Sequence, residues 1–136
     1  MTNVQFSIAV HIMTGLAQYR GRVPSRIVSN SVNTTPSFVR RVLAKLSKAG
    51  LVKTSTGKSG FCLLAKDPRR VTMLDIYRAV EGPMVIAIHD YPALDSCVVS
   101  RRIKPSLKRI QDVVERSVQK SLAGITLASV LGEVEG

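Results

Sequence analysis

Residues 35–50 leave this chain fewer structural alternatives than any other stretch. Thr35 is a helix-capping residue type, and Pro36 suits the first helical position, where a backbone N–H would have no partner. Phe38, Val39, Val42, Leu43 and Leu46 then recur at helical spacing and form one apolar stripe. Ser37, Arg40, Arg41, Ala44, Lys45 and Lys48 lie outside the stripe, and Gly50 is a natural stop. A helix bounded this clearly must bury its apolar side against other elements, and its remaining face is basic. Two strands are predicted directly after it, at residues 51–55 and 61–66, turning around Gly57-Lys-Ser-Gly60.

The flanking pattern supplies the partners. Val4, Ile8, Ile12 and Leu16 stand four apart and predict a first helix over residues 3–19. It carries no charge apart from His11, so it is expected to be covered on several sides. Arg20-Gly-Arg-Val-Pro24 breaks it, and Ser25 is read as the cap of a short second helix with Ile27, Val28 and Val32 inward. After Asp67-Pro68, Thr72 and Asp75 have capping-box spacing and open a helix through Glu81, with Met73, Ile76, Tyr77 and Val80 inward. Residues 84–100 carry no clear periodicity. Beyond them Ile103, Leu107, Ile110, Val114, Val118 and Leu122 form an apolar seam along a long helix, with Pro105 near its start and a short helical turn at 126–131.

These elements predict a mainly α fold with a small β-hairpin wing: a winged helix-turn-helix followed by a long C-terminal dimerisation helix. The boundaries are residues 1–82 for the DNA-binding domain, 83–100 for a connecting loop and candidate sensor segment, and 101–136 for the long helix and terminal turn. Too little chain remains to cover the seam, so its expected mate is the same helix of a second copy.

Charge points to the partner. The first 66 residues hold ten Lys or Arg and no Asp or Glu, although nine acids occur in the chain. An even spread would place about four there. Carboxylates would repel every phosphate of a polyanion, so their absence favours nucleic acid. Residues 1–81 carry a net +10 and residues 82–136 a net +1, out of +11 for the whole chain. Ser25, Thr35, Ser37, Phe38, Arg40, Arg41 and Lys45 are the expected DNA-contacting residues of the helical part, with Lys53 and Lys58 on the wing; Arg20 and Arg22 are weaker phosphate candidates. Ile103, Leu107, Ile110, Val114 and Val118 are the expected dimer residues.

No nucleotide loop, zinc-protease motif or nucleophile triad is present, so an enzyme is not expected. No run is long and apolar enough for a membrane span and no leader pattern opens the chain; a cytoplasmic protein is expected. Two cysteines, Cys62 and Cys97, give neither a disulfide framework nor a metal set. Cys97 and His89 remain candidate sensor residues, which keeps a redox or small-ligand sensing regulator open. A basic RNA-associated module also stays open, although six Phe and Tyr in all supply little stacking surface.

Residues 36–52, then Gly57, Gly60 and Leu64-Ala-Lys-Asp-Pro68, then residues 71–82 together resemble the Rrf2 family of bacterial winged-helix repressors. Thr126-Leu-Ala-Ser-Val-Leu131 fits as well, so the resemblance covers nearly the whole chain. It implies a homodimeric repressor on a palindromic operator of double-stranded DNA, with long helices crossing in the dimer and the first helix packing on the partner too. Cluster-binding members place three cysteines between the helix ending in Ala79-Val-Glu-Gly82 and the long helix. This chain has only Cys97 there, as in the YwnA-like branch, so no conventional iron–sulfur cluster and no other cofactor is expected. The family often has Arg where Thr56 stands and an aromatic near Cys62; Lys58 is the candidate replacement for that Arg.

Overall fold

The uncharged first helix, α1 (Gln5–Tyr19), is covered along most of its length. Ile8, Ala9, Ile12, Met13, Leu16 and Ala17 are all buried, and Thr14 answers its own hydroxyl by donating to the Val10 carbonyl at 2.7 Å. Val4, expected inward, precedes the helix and is exposed. The computed structural model describes residues 4–82 and 84–136, so Asn3, the expected helix start, lies outside the described residues. Arg20 closes α1 in the left-handed conformation, its N–H donating to the Leu16 carbonyl.

Next come β1 (Val23–Pro24) and α2 (Ser25–Val32), and here the structure departs from the sequence reading. β1 was not expected: two residues, one a proline, show no alternation. It becomes a strand because β3 (Phe61–Leu64) offers a free edge, pairing Val23 with Cys62 and Pro24 with Phe61. An edge is where a proline is tolerated in a sheet. Ser25 does not cap α2 but begins it, because Pro24 already holds the flanking extended position. Its hydroxyl lies 3.6 Å from the Cys62 sulfur.

The helix α3 (Pro36–Lys48) forms as expected, with Thr35 in the capping position; the Thr35 carbonyl accepts from the Phe38 and Val39 N–H groups, while its side chain makes no cap bond. Val39, Val42, Leu43 and Leu46 are buried and Phe38 is half-buried. The wing pairs β2 (Val52–Ser55) with β3, Val52 opposite Leu64 and Ser55 opposite Phe61, in a sheet of order β1-β3-β2. Both strands are shorter than predicted. Gly57 turns the tip at φ 97°, a conformation that suits glycine.

Helix α4 (Met73–Ala79) carries the full capping box: the Thr72 hydroxyl accepts from the Asp75 N–H at 3.1 Å, and the Asp75 carboxylate accepts from the Thr72 N–H at 2.9 Å. It stops before Glu81, which adopts φ 51°. Gly82 follows directly under the Tyr77 ring, where a Cβ would sit 2.2 Å from a ring carbon.

The chain divides into two compact units: one runs to Gly82 and resumes at Leu122–Gly136, the other ends at Ser121. The sequence reading had grouped the terminal turn with the long helix. Instead α6 (Leu127–Glu135) packs in the first unit, the head. The Met73 N–H donates to the Ile125 carbonyl and the Leu127 N–H to the Val71 carbonyl, both at 2.8 Å. Leu127 is fully buried. Backbone pairing and the apolar side of α6, with Leu127 buried and Val130 and Leu131 packed against the same core, decide that placement.

The second unit is built on α5 (Val98–Ala123), which begins earlier than the seam suggested and contains Pro105. An irregular segment lies along it: the Gln111 amide donates to the Ile86 carbonyl at 2.9 Å, and the Tyr91 hydroxyl to the Ser100 carbonyl at 2.6 Å. Among the described residues no helix is long and apolar enough to cross a membrane.

Candidate nucleic-acid interface

Because α3 buries Val39, Val42 and Leu46, its opposite edge is left to solvent, and there Ser37, Arg40 and Arg41 are exposed. Phe38 has two neighbours: the head core beneath, and the Arg41 guanidinium 5.2 Å from its ring centroid. That cation–π contact limits where Arg41 reaches, at the N-terminal half of the helix. Lys45 behaves differently from expectation. Its ammonium donates to the Gln5 side-chain oxygen at 2.6 Å, which turns it back onto α1 and away from the exposed edge.

Between α2, α3 and the wing lies a cavity of about 850 Å³. It brings Arg40 and Lys58, remote in sequence, to one groove, with Ser25 on its lining. Lys53 is exposed on β2. The groove also includes Arg22 and Arg26. Arg22 is held over the Phe61 ring at 4.5 Å. Arg26 was missed by sequence reasoning; only the acid-free composition hinted at it, since nothing in the pattern shows that α2 presents this residue to the wing.

The first acid of the chain, Asp67, adds little negative field. The Arg69 guanidinium hydrogen-bonds its carboxylate and the Arg69 N–H caps it at 2.8 Å, holding the carboxyl down at about 2. Among the described residues the salt bridges are Arg69–Asp67 and Lys108–Asp112, so no acid pairs with Arg22, Arg26, Arg40, Arg41 or Lys58.

In the second unit Ile103, Leu107, Val114 and Val118 are half-buried, whereas Ile110 is exposed. Val113, about one turn on, and Val99, near the start of α5, are also exposed and were not among the expected dimer residues. Gln111 was also unforeseen: its burial depends on a carbonyl of the irregular segment, which leaves no periodic trace. The two sensor candidates have separate local partners. His89 stacks on Tyr91 with ring centroids 4.7 Å apart, and the Cys97 sulfur accepts the Ser100 N–H at 3.4 Å near the start of α5. Among the described residues no group of three or more His, Cys, Asp or Glu could hold a metal ion. One thiol on the candidate sensor segment, with Cys62 buried in the head, does not fit a three-thiolate iron–sulfur cluster.

Residues 2–133 match the model of the Rrf2 family, described as an iron-dependent transcriptional regulator. YwnA of Bacillus subtilis, named as an HTH-type transcriptional regulator, is 32% identical over 135 residues, covering 98% of this chain and 99% of that protein. Among solved structures, IscR of T. potens superposes with a TM-score of 0.69 at 24% identity, covering 98% of this chain and 88% of that one. CymR, the global cysteine regulator of B. subtilis, gives 0.65 at 24% identity over 98% and 97%. These two structures show the same winged-helix fold. The full-length match, together with a wing and an exposed basic edge on α3, places this chain in the Rrf2 family of DNA-binding transcriptional regulators, which are not enzymes.

Proposed function

We propose that the chain acts as a cytoplasmic homodimeric repressor that binds a palindromic operator, without a conventional three-cysteine cluster. The observation that carries this reading is the exposed edge of α3, where Arg40 and Arg41 stand free of acids beside the basic wing groove. Arg41, oriented by Phe38, is the residue to pair bidentately with a guanine in the major groove. Ser37 and Thr35 sit near the same helix end to contact phosphate or base edges, and Lys53 and Lys58 approach the backbone from the wing. Exposed Ile110 and Val113, with Val99 nearer the start of α5, supply the apolar face for a second copy and extend the expected seam. Two-fold symmetry would then present two α3 edges to two half-sites.

The test is selection of bound fragments from random duplex DNA, followed by footprinting of the recovered site. Arg41→Ala should weaken that site by about 1–3 kcal/mol and relax preference at one base pair, with the fold unchanged. Unaltered affinity and preference would remove Arg41 from the reading role.

A further inference from the structure

The groove between α2 and the wing has the chemistry of a phosphodiester site rather than of a base reader. Four cations reach its lining, Arg22, Arg26, Arg40 and Lys58, and no acidic residue does. Hydroxyls fill much of the remainder: Ser25 and Ser29 from α2, and Ser55, Thr56 and Ser59 from the wing. Cations and hydroxyls are the side chains that bind phosphate oxygens and carry no sequence information. At about 850 Å³ the space is far larger than a single inorganic anion needs and falls within the range of ligand-sized grooves, about 300–1,000 Å³. The floor is firm. Arg22 is stacked on Phe61, and the Ser25 N–H donates to the Gly60 carbonyl at 3.1 Å, tying the start of α2 to the wing.

We propose that this groove is a backbone clamp for one DNA strand, in which Arg26 and Arg22 each neutralise a phosphate. The proposal rests on the DNA-binding reading above and assigns α2 and β1 a positioning role separate from the reading edge at Arg41. Arg26 projects from the exposed side of α2 and pairs with no acid among the described residues, so nothing in the head competes for its charge.

The experiment is the salt dependence of duplex binding by the full chain, on its selected site and on an unrelated sequence. Each phosphate contact contributes about 0.9 to the slope of log affinity against log salt. Arg26→Ala should therefore lower the slope by about 0.9, and Arg22→Ala/Arg26→Ala by about 1.8, with equal weakening on both sequences. Arg26→Lys should restore the slope, which a purely structural role would not predict. An unchanged slope in Arg26→Ala, with the wild type binding normally, overturns the clamp and leaves the DNA reading standing. A wild type with no salt-dependent duplex binding overturns both. A parallel titration with tripolyphosphate covers a free phosphate ligand: saturable binding lost in Arg26→Ala, alongside an unchanged DNA slope, also overturns the clamp.

Discussion

The head and the α5 unit solve the problem of apolar surface in opposite ways. In the head, twenty apolar side chains among the described residues are buried, from Ile8 on α1 to Leu127 on α6, and they join one cluster. In the α5 unit the buried residue among those described is polar, Gln111, while Val98, Val99, Ile110 and Val113 remain exposed. A helix with a strap along it has one layer and cannot enclose a core, whereas helices packed around a small sheet can. The head therefore encloses a core of its own, whereas the second unit leaves apolar side chains exposed, the surface assigned to the proposed second copy. The surfaces differ as well: the head carries the acid-free groove lined by Arg22, Arg26, Arg40 and Lys58, and α5 carries the exposed Val98, Val99, Ile110 and Val113.

Core truncation in the head should produce the largest effect. Leu46 is fully buried on α3, and Leu46→Ala should cost about 2–5 kcal/mol in urea unfolding, with DNA binding lost as α3 loosens. A change under about 1 kcal/mol would show that the head core is not what holds α3. Next comes the seam. Ile110→Asp removes an apolar contact of about 1.5–3 kcal/mol and introduces a charge, so dimerisation should weaken by at least about tenfold in sedimentation, with the head's secondary structure intact. An undisturbed dimer would remove Ile110 from the proposed seam and break the contrast between the two units.

The smallest effect belongs to acid. The Asp67 carboxyl is held at about 2 against an ordinary 3.8 because it accepts hydrogen bonds from Arg69. Its folded value is depressed, so its stabilisation is present above pH 3.8 and disappears as pH falls towards 2. Being exposed, the pair should give only a shallow loss, and Asp67→Asn should flatten the thermal midpoint profile in that window. An identical profile in the variant would remove Asp67 as its source.

Short-range rules made α3 and the α4 cap readable in advance. Thr35, Pro36 and Gly50 act within a few residues of the helix they bound, and Thr72 and Asp75 satisfy each other locally. Features that depend on distant partners were not legible. β1 exists because β3 needs a neighbour, Lys45 is withdrawn because the Gln5 side-chain oxygen accepts its hydrogen bond, and Gln111 is buried because the Ile86 carbonyl faces it. None of these partners is encoded by spacing along the chain. The same limit affected the site: Arg40 and Arg41 followed from the pattern of α3, but Arg26 became a candidate only when α2 was seen beside the wing.

Periodicity and charge were sufficient to determine a winged helix with a basic, acid-free face and a long apolar-seamed helix, because amphipathic spacing and net charge are properties of the chain itself. Tertiary structure alone decided that the C-terminal helix returns to the head, that four cations share one groove, and that Ile110 stands exposed beside Val113. Those outcomes depend on which surfaces meet in space, and a hydrogen bond or a packed side chain is specified only when both of its partners are in place.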